Sequence, residues 1–575
     1  MVDPQVVLTE RVQRALATAF GPEYADADPL IRPSQFADYQ ANVALNLAKR
    51  LRRAPRDVAQ ALVDALDVAD VCSGVEVSGP GFVNLTLADG WIAAQAEAMR
   101  DDEALGVARR APQTVVIDYS APNAAKEMHV GHLRTTIVGD ALARVHEHVG
   151  DHVIRQNHLG DWGTPFGMLM EHLLDVGEEE ALRRLAEGDA NAFYQEARQK
   201  FDTDPAFEER ARRRVPLLQG GDPESMRLWR EFIEHSKRYF NHIYRELGVT
   251  LTDEHIAGES MYNPMLADVC DELERAGIAR ISDGALCAFP PGFTGRDGRP
   301  LPLIIRKSDG GYGYATTDLA AIRYRVRELK ADRILYVVGA TQALHFQMVF
   351  ATARMAGWLT DDVRAEHVQI GNVLGEDGKI FRTRSGKSIK LSELLEEAVE
   401  RAEAVIADRG YDPETRKEIA RKVGIGAVKY ADLSVSHDSE YVFDFDRMLA
   451  LTGNTGPYLQ YATARIRSIF RKGGIDPAQA TGAIRLGEPV ERTLALTLLG
   501  YPSVVEKVAE ASEPHRLCTF LFDLAQAFTA FYESCPVLTA EDPAVRESRI
   551  ALSALTLRVL LQGLDLLGIE VPERM

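Results

Sequence analysis

No stretch of 18 apolar residues free of charge occurs anywhere in the 575, so no membrane-spanning helix is expected and a membrane partner is excluded. Cysteine is scarce. Cys72, Cys270, Cys287, Cys518 and Cys535 are an odd number with no close pair, which argues against a zinc ribbon or a disulfide framework and suits buried, reduced thiols. The opening "MVDPQVVLTERVQRALATAF" lacks a basic start followed by an apolar run, so neither a secretory signal nor a transit peptide is expected, and the expected location is cytoplasmic. Internal repeats and low-complexity tracts are missing as well. Basic charge is in deficit: 66 Lys and Arg against 85 Asp and Glu leave −19, which by itself counts against a nucleic-acid partner.

What is present is ordinary globular material, 46% hydrophobic and 26% charged. The length favours roughly three or four domains. The basic residues that do occur are clustered where acids are few: Lys49, Arg50, Arg52, Arg53 and Arg56; Lys379, Arg382, Arg384, Lys387 and Lys390; Arg465, Arg467, Arg471 and Lys472. Such clusters are commonly just solvated faces, and less often mark RNA contact.

Residues 1–110 combine helical periodicity at Val7, Leu8, Val12, Leu16 and Ala19 with "VEVSGPGFVNLTL", a strand, turn and strand, and so form a separate α+β module. The polar "DDEALGVARRAPQ" is the expected linker. At Thr114 the texture changes. "TVVIDYS" suits a buried parallel strand, a helix is expected from about Gly131 to Val149, and "DHVIRQNHLGD" reads as a second strand. "RILYVVGA", the periodic segment after it and "HVQIGNVL" repeat the pattern, so residues 111–390 are expected to be a Rossmann-like, doubly wound parallel-sheet domain, interrupted by an insertion at about 171–305. From Leu391 the chain reads as helix, a connecting region to 450 and an all-helical domain over 451–575. The fold class is therefore multidomain α/β.

His129-Val130-Gly131-His132 stands between the first strand and its helix, where a parallel sheet opens its ligand crevice and a helix N-terminus offers free N–H groups to phosphate. Gly131 allows close approach to the backbone, and imidazoles three residues apart can both donate to charge developing on one phosphate. The alternatives are a helical metal-binding pair or two unrelated surface histidines. No carboxylate or cysteine stands at ligand spacing to complete a zinc site.

The wider segment "DYSAPNAAKEMHVGHLRTT" closely resembles the first signature of class I aminoacyl-tRNA synthetases in its arginyl form. The resemblance implies ATP and Mg²⁺ as cofactors, L-arginine and tRNA(Arg) as partners, and ligation through an arginyl-adenylate with release of AMP and pyrophosphate. It also implies a monomer, no editing site, and tRNA bound during activation. On matching positions it assigns His129, Gly131 and His132 to ATP, and Ser120 and Asn123 to arginine. The second phosphate loop of the class falls on "GKIFRTRSGKSIKL", where Thr383, Arg384 and Ser385 occupy the place of the motif and its usual second lysine is absent. In the arginyl family the proposed substitute is the lysine ahead of the histidines, here Lys126, whose bland alternative is a solvated loop lysine.

A guanidinium requires planar, charged acceptors, because its donors form a fixed fork and its charge is permanent. Glu259 in "AGESMYN", Tyr314 and Asp318 in "YGYATTDLAAIRYR", and Gln342 ahead of His345 in "VVGATQALHFQ" resemble the family's arginine pocket in wording and order. Singly, the carboxylates would more often be caps or surface pairs. "YVFDFDRMLALTGNTGPYLQYATARIRSI" and the closing "GIEVPERM" match the passage into the family's anticodon-binding domain, with Tyr458, Gln460, Tyr461 and Arg465 as tools for holding unstacked bases or, equally, as core packing. "FADYQANVALNLAK" and "GPGFVNL" resemble the family's N-terminal additional domain, which meets the tRNA corner and would bring Lys49 and Arg53 near RNA. A synthetase for cysteine or lysine, and a catalytically silent tRNA-binding relative, remain as alternatives.

Overall fold

The structure, a computed structural model, describes residues 3–187, 189–382 and 389–575. Two compact units divide the chain: 110–450 with 566–570, and 1–109 with 451–565 and 571–575.

The larger unit is built on a parallel sheet. Its strands are β1 (Thr114–Asp118), β2 (His152–Gln156), β3 (Arg333–Gly339) and β4 (Arg364–Ile370), in the spatial order β4-β3-β1-β2. Helix α1 (Val130–His148) follows β1, α2 (Tyr314–Arg327) precedes β3, and α3 (Ala343–Met355) links β3 to β4. Register runs Thr114↔His152 to Asp118↔Gln156 on one side of β1 and Arg333↔Val115 to Tyr336↔Asp118 on the other. The chain leaves β1 for β2 and returns to its opposite side as β3, so a switch point opens between β1 and β3. Val115, Val116 and Ile117 are wholly buried, as the unbroken apolar run requires of a strand covered on both faces. Against them α1 packs Leu133, Ile137, Val138 and Leu142, and Gly139 is obligatory there because a Cβ would fall 2.3 Å from the Tyr119 side chain.

Between β2 and α2 lie the helices Thr164–Val176, Glu178–Ala186, Ala190–Thr203, Pro205–Gln219 and Pro223–Leu247, with a core of their own around Phe166, Phe193, Phe207 and Phe232. A small antiparallel sheet of Ala279–Ser282, Ala285–Ala288 and Leu303–Arg306 follows. Two buried arginines fix the frame. Arg325 donates to Asp118 at 2.8 Å and to Gln156 at 3.1 Å beneath the strand ends. Arg134 donates to Asp432 at 3.2 Å and to the carbonyls of Gly371, Ser436 and Ser439, binding α1 to the chain beyond β4.

In the smaller unit a four-stranded antiparallel sheet, Ile31–Pro33, Tyr39–Ala41, Phe82–Leu87 and Cys72–Ser78 in that order, carries the expected strand pair with Val75 opposite Leu85. The two short strands before it carry too little alternation to be legible. Helices Pro4–Phe20, Val43–Leu51, Pro55–Ala65 and Asp89–Asp101 accompany the sheet, and Gly456–Gly473, Pro489–Leu499, Tyr501–Ala511, His515–Ser534 and Pro543–Leu566 follow in the C-terminal part of the chain. Arg492 forks onto Asp38 with two 2.7 Å bonds, fixing the sheet to the helix Pro489–Leu499. The multidomain α/β architecture expected from the sequence is the one observed.

Candidate active site

The chain leaving β1 is strained. Ser120, Ala121 and Ala125 have φ of 71°, 48° and 60°, a region that costs a non-glycine residue about 1 kcal/mol or more each. Side chains hold it there by its amides: Ala121 N–H donates to Asn157 at 3.0 Å, Ala125 N–H to Ser236 at 2.8 Å, Glu127 N–H to Asn191 at 3.2 Å and Met128 N–H to Tyr239 at 3.1 Å. Strain that so many partners over-determine belongs to a site rather than to a loose loop.

The strained loop delivers the two histidines as a reciprocal cap of α1. His129 Nδ1 accepts from Gly131 N–H and His132 Nδ1 accepts from His129 N–H, both at 3.1 Å. Both rings are thereby fixed as the tautomer with hydrogen on Nε2, a neutral donor beside the helix N-terminus. A Cβ on residue 131 would meet the His129 ring at 2.8 Å, which is why glycine stands there. The surroundings disfavour protonation. Desolvation and the neighbouring His129 push His132 down to about 3, and desolvation and the Lys126 ammonium lower His129.

At the end of the segment "GKIFRTRSGKSIKL", Val130 N–H donates to Ile389 O at 3.1 Å and Leu391 N–H to Met128 O at 2.9 Å. Lys390 adds an ion pair to Glu127 at 3.1 Å. The two signatures, about 250 residues apart in sequence, are joined backbone to backbone. Thr383, Arg384 and Ser385, with Lys387, lie outside the described residues.

Beside the histidine cap opens a cavity of about 840 Å³ whose walls include Asn123, Lys126, Trp162, Tyr194, Glu259 and Tyr314. Asn123 Oδ1 comes so close to Gly160 that a Cβ there would sit 2.2 Å away. Acidic groups converge at this end. Asp161 is buried and accepts from Ser260 N–H at 2.8 Å and Ser260 Oγ at 2.6 Å; Asp318 lies 2.6 Å from His345 Nε2. Burial, then Asp161, then Asp318 push Glu259 up to about 8. A buried carboxyl that feels two further carboxylates makes a site that favours a cation. Among the described residues no cluster of three or more His, Cys, Asp or Glu has the arrangement of a metal site.

Other expected residues are placed differently. Ser120 is 3% exposed and does not line the cavity; its hydroxyl pairs with Tyr244 at 2.7 Å and accepts from Thr136 at 2.9 Å, so it braces the wall instead of meeting a ligand. Gln342 is exposed in the turn Ala340–Gln342 at the carboxyl end of β3. Gln460 is wholly buried within its helix bundle, which rules out contact with a base. Tyr458 is half-buried against Phe522, Tyr461 is 38% exposed, and Arg465 lies over the Tyr532 ring at 4.6 Å. Lys49 and Arg53 are exposed at the end of the helix Val43–Leu51 and just beyond it. Asp161, Asn191, Tyr194 and Tyr244 escaped sequence reasoning. "HLGDWG", directly after β2, was a legible signal for Asp161, because the crevice of a parallel sheet lies beyond its strand ends.

Three family models cover nearly the whole chain. The catalytic domain of class I tRNA synthetases (R) matches residues 95–445, the DALR anticodon-binding domain 459–575, and the arginyl-tRNA synthetase N-terminal domain 7–87. The arginine–tRNA ligase of Thermobifida fusca (strain YX) is 68% identical over 577 residues, spanning 100% of both chains, and that of Frankia casuarinae is 52% identical over 99% of both. Among solved structures, the arginyl-tRNA synthetase of Plasmodium falciparum superposes with a TM-score of 0.85 at 28% identity over 99% of each chain, and that of Thermus thermophilus with 0.84 at 27% over the full length of each. With a reciprocal histidine cap at the switch point of its parallel sheet and relatives matched end to end, the chain belongs to the arginyl-tRNA synthetase family of class I aminoacyl-tRNA synthetases.

Proposed function

We propose that the chain's ATP-dependent ligation of arginine to tRNA proceeds by an in-line displacement at the α-phosphate and then an acyl transfer at this cavity, with one end reserved for the guanidinium and the other for the phosphates. What supports the division is that one cavity is lined both by Glu259, which feels Asp161 and Asp318, and by Lys126, which His129 and His132 feel. Arginine places its guanidinium between Glu259 and Asp318, with Tyr314 and Gln342 beside them and Asn123 toward its α-carbon end. Lysine cannot satisfy both forks, and citrulline lacks the charge.

ATP enters as its Mg²⁺ complex. The arginine carboxylate attacks the α-phosphate; the Nε2–H groups of His129 and His132 donate to the oxygens gaining charge, and the Gly131 backbone admits them closely. Lys126, with Thr383, Arg384 and Ser385 of the second loop, neutralises the departing pyrophosphate. The terminal ribose 2′-hydroxyl of the tRNA then attacks the adenylate carbonyl and releases AMP. Positioning and charge stabilisation supply the catalysis, so no covalent enzyme intermediate arises. The protein acts as a cytoplasmic monomer, with tRNA bound during activation. Residues 1–110 meet the tRNA corner through Lys49 and Arg53, and 451–575 read the anticodon with Tyr458, Tyr461 and Arg465.

Two pH effects follow. Glu259, raised to about 8, holds its proton in the free protein at pH 7 and loses it when the guanidinium arrives, so arginine binding releases a proton there and tightens as pH rises toward 8. Titration calorimetry in two buffers of different ionisation enthalpy reads the proton directly; identical observed enthalpies would remove this role for Glu259. The histidines behave oppositely. His132, pushed down to about 3, is neutral from pH 6 to 8 and His129 is shifted the same way, so pyrophosphate exchange at saturating arginine and ATP should show no limb from His132 in that range. An inflection near 6.5 that His132→Gln abolishes would show a charged ring at work.

A further inference from the structure

We infer that Tyr194, on the inserted helix Ala190–Thr203, is a positioning residue that holds the Lys126 ammonium over its ring and aims it at the phosphate end of the cavity. The inference rests on the phosphate role of Lys126 proposed above.

Lys126 Nζ lies 4.1 Å from the centroid of the Tyr194 ring, well inside the range of a cation–π contact. One turn earlier on the same helix, Asn191 Oδ1 accepts the N–H of Glu127, the residue next to Lys126. Positions 191 and 194 share a face, so a single helical surface grips both the backbone and the side chain of the loop at adjacent residues. Tyr194 lines the same cavity as Asn123, Glu259 and Tyr314. Both histidines feel the Lys126 ammonium, so it lies within electrostatic range of the histidine cap.

A lysine is a point charge on four rotatable bonds, and left free it spreads that charge over a wide volume. An aromatic face restricts the volume without neutralising the charge, whereas a carboxylate partner would repel the pyrophosphate. The inserted segment, with little signal of its own in the sequence, thus supplies the aromatic face that gives Lys126 a fixed address.

The test is arginine-dependent ATP–pyrophosphate exchange, with tRNA present, by the full-length protein. Tyr194→Leu should lower kcat about tenfold, the size of one desolvated cation–π contact, with the arginine KM within about twofold of the parent. Tyr194→Phe keeps the ring face and should restore the rate. In a Lys126→Ala background Tyr194→Leu should cost nothing more. An independent readout is ¹³C-dimethylated lysine: the Lys126 methyl resonance, identified by its loss in Lys126→Arg, should be shifted upfield by the ring, retain that shift in Tyr194→Phe and lose it in Tyr194→Leu. If Lys126→Ala slows exchange but Tyr194→Leu does not, or if the two losses add in full, the positioning role is overturned while the phosphate role stands. If Lys126→Ala itself exchanges normally, the phosphate role fails first.

Discussion

Lys126→Ala should slow arginyl-adenylate formation by about 10²- to 10³-fold, the cost of removing one preorganised electrostatic stabiliser from a transition state. The second signature has Thr383, Arg384 and Ser385 where the class usually keeps a further lysine, so a lysine outside that loop should meet part of the leaving-group charge. Two described lysines adjoin the histidine cap, and their surroundings differ. Lys390 is paired with Glu127 at 3.1 Å, and that carboxylate compensates its charge. Lys126 lies over an aromatic face that leaves its charge unspent. Lys126 is assigned to the phosphates and not to the guanidinium, so the loss should fall on kcat, with the arginine KM nearly unchanged. Pre-steady-state adenylate formation separates the two. An unaltered rate in Lys126→Ala would transfer the task to Lys390 or the second loop.

Asp318→Asn should act at the other end, raising the arginine KM by about 10- to 100-fold, as expected when a charge-assisted acceptor becomes a neutral one. The Asp318 carboxylate lies 2.6 Å from His345 Nε2, which orients it one turn along α2 from Tyr314. Asparagine preserves the shape but presents an amide donor to a guanidinium that is itself all donor. Removal of Asp318 also relieves part of the repulsion that raises Glu259, so the proton released on arginine binding at pH 7 should decrease in the same variant. An unchanged KM with unchanged proton release would mean that the guanidinium lies elsewhere.

What was legible in the sequence was periodic or local. β1 and α1 are an unbroken apolar run and a helix with its cap, and the structure places the helix at Val130–His148 against an expected Gly131 to Val149. The strand pair around Gly79 announced itself through alternation and turn residues. What stayed hidden depends on long-range contacts. Ser120 looks like a ligand residue because it sits in the signature, yet Tyr244, 124 positions away, takes its hydroxyl. Gln460 looks like an RNA-reading amide, but helix packing buries it completely. Tyr194 and Asn191 stand in a charged, helical stretch with no motif, and only the folded loop brings them against Lys126. Asp161 is the exception: its place after β2 followed from topology, and the missing clue was its partnership with Ser260.

The most direct measurement is ATP-dependent charging of total tRNA with arginine, lysine or cysteine, run in parallel on the parent protein and Asp318→Asn. The pocket of Glu259 and Asp318 predicts charging with arginine alone, and a variant that needs about 10- to 100-fold more arginine for half its maximal rate. Failure to charge any tRNA with arginine, or equal arginine dependence in the two proteins, would contradict it.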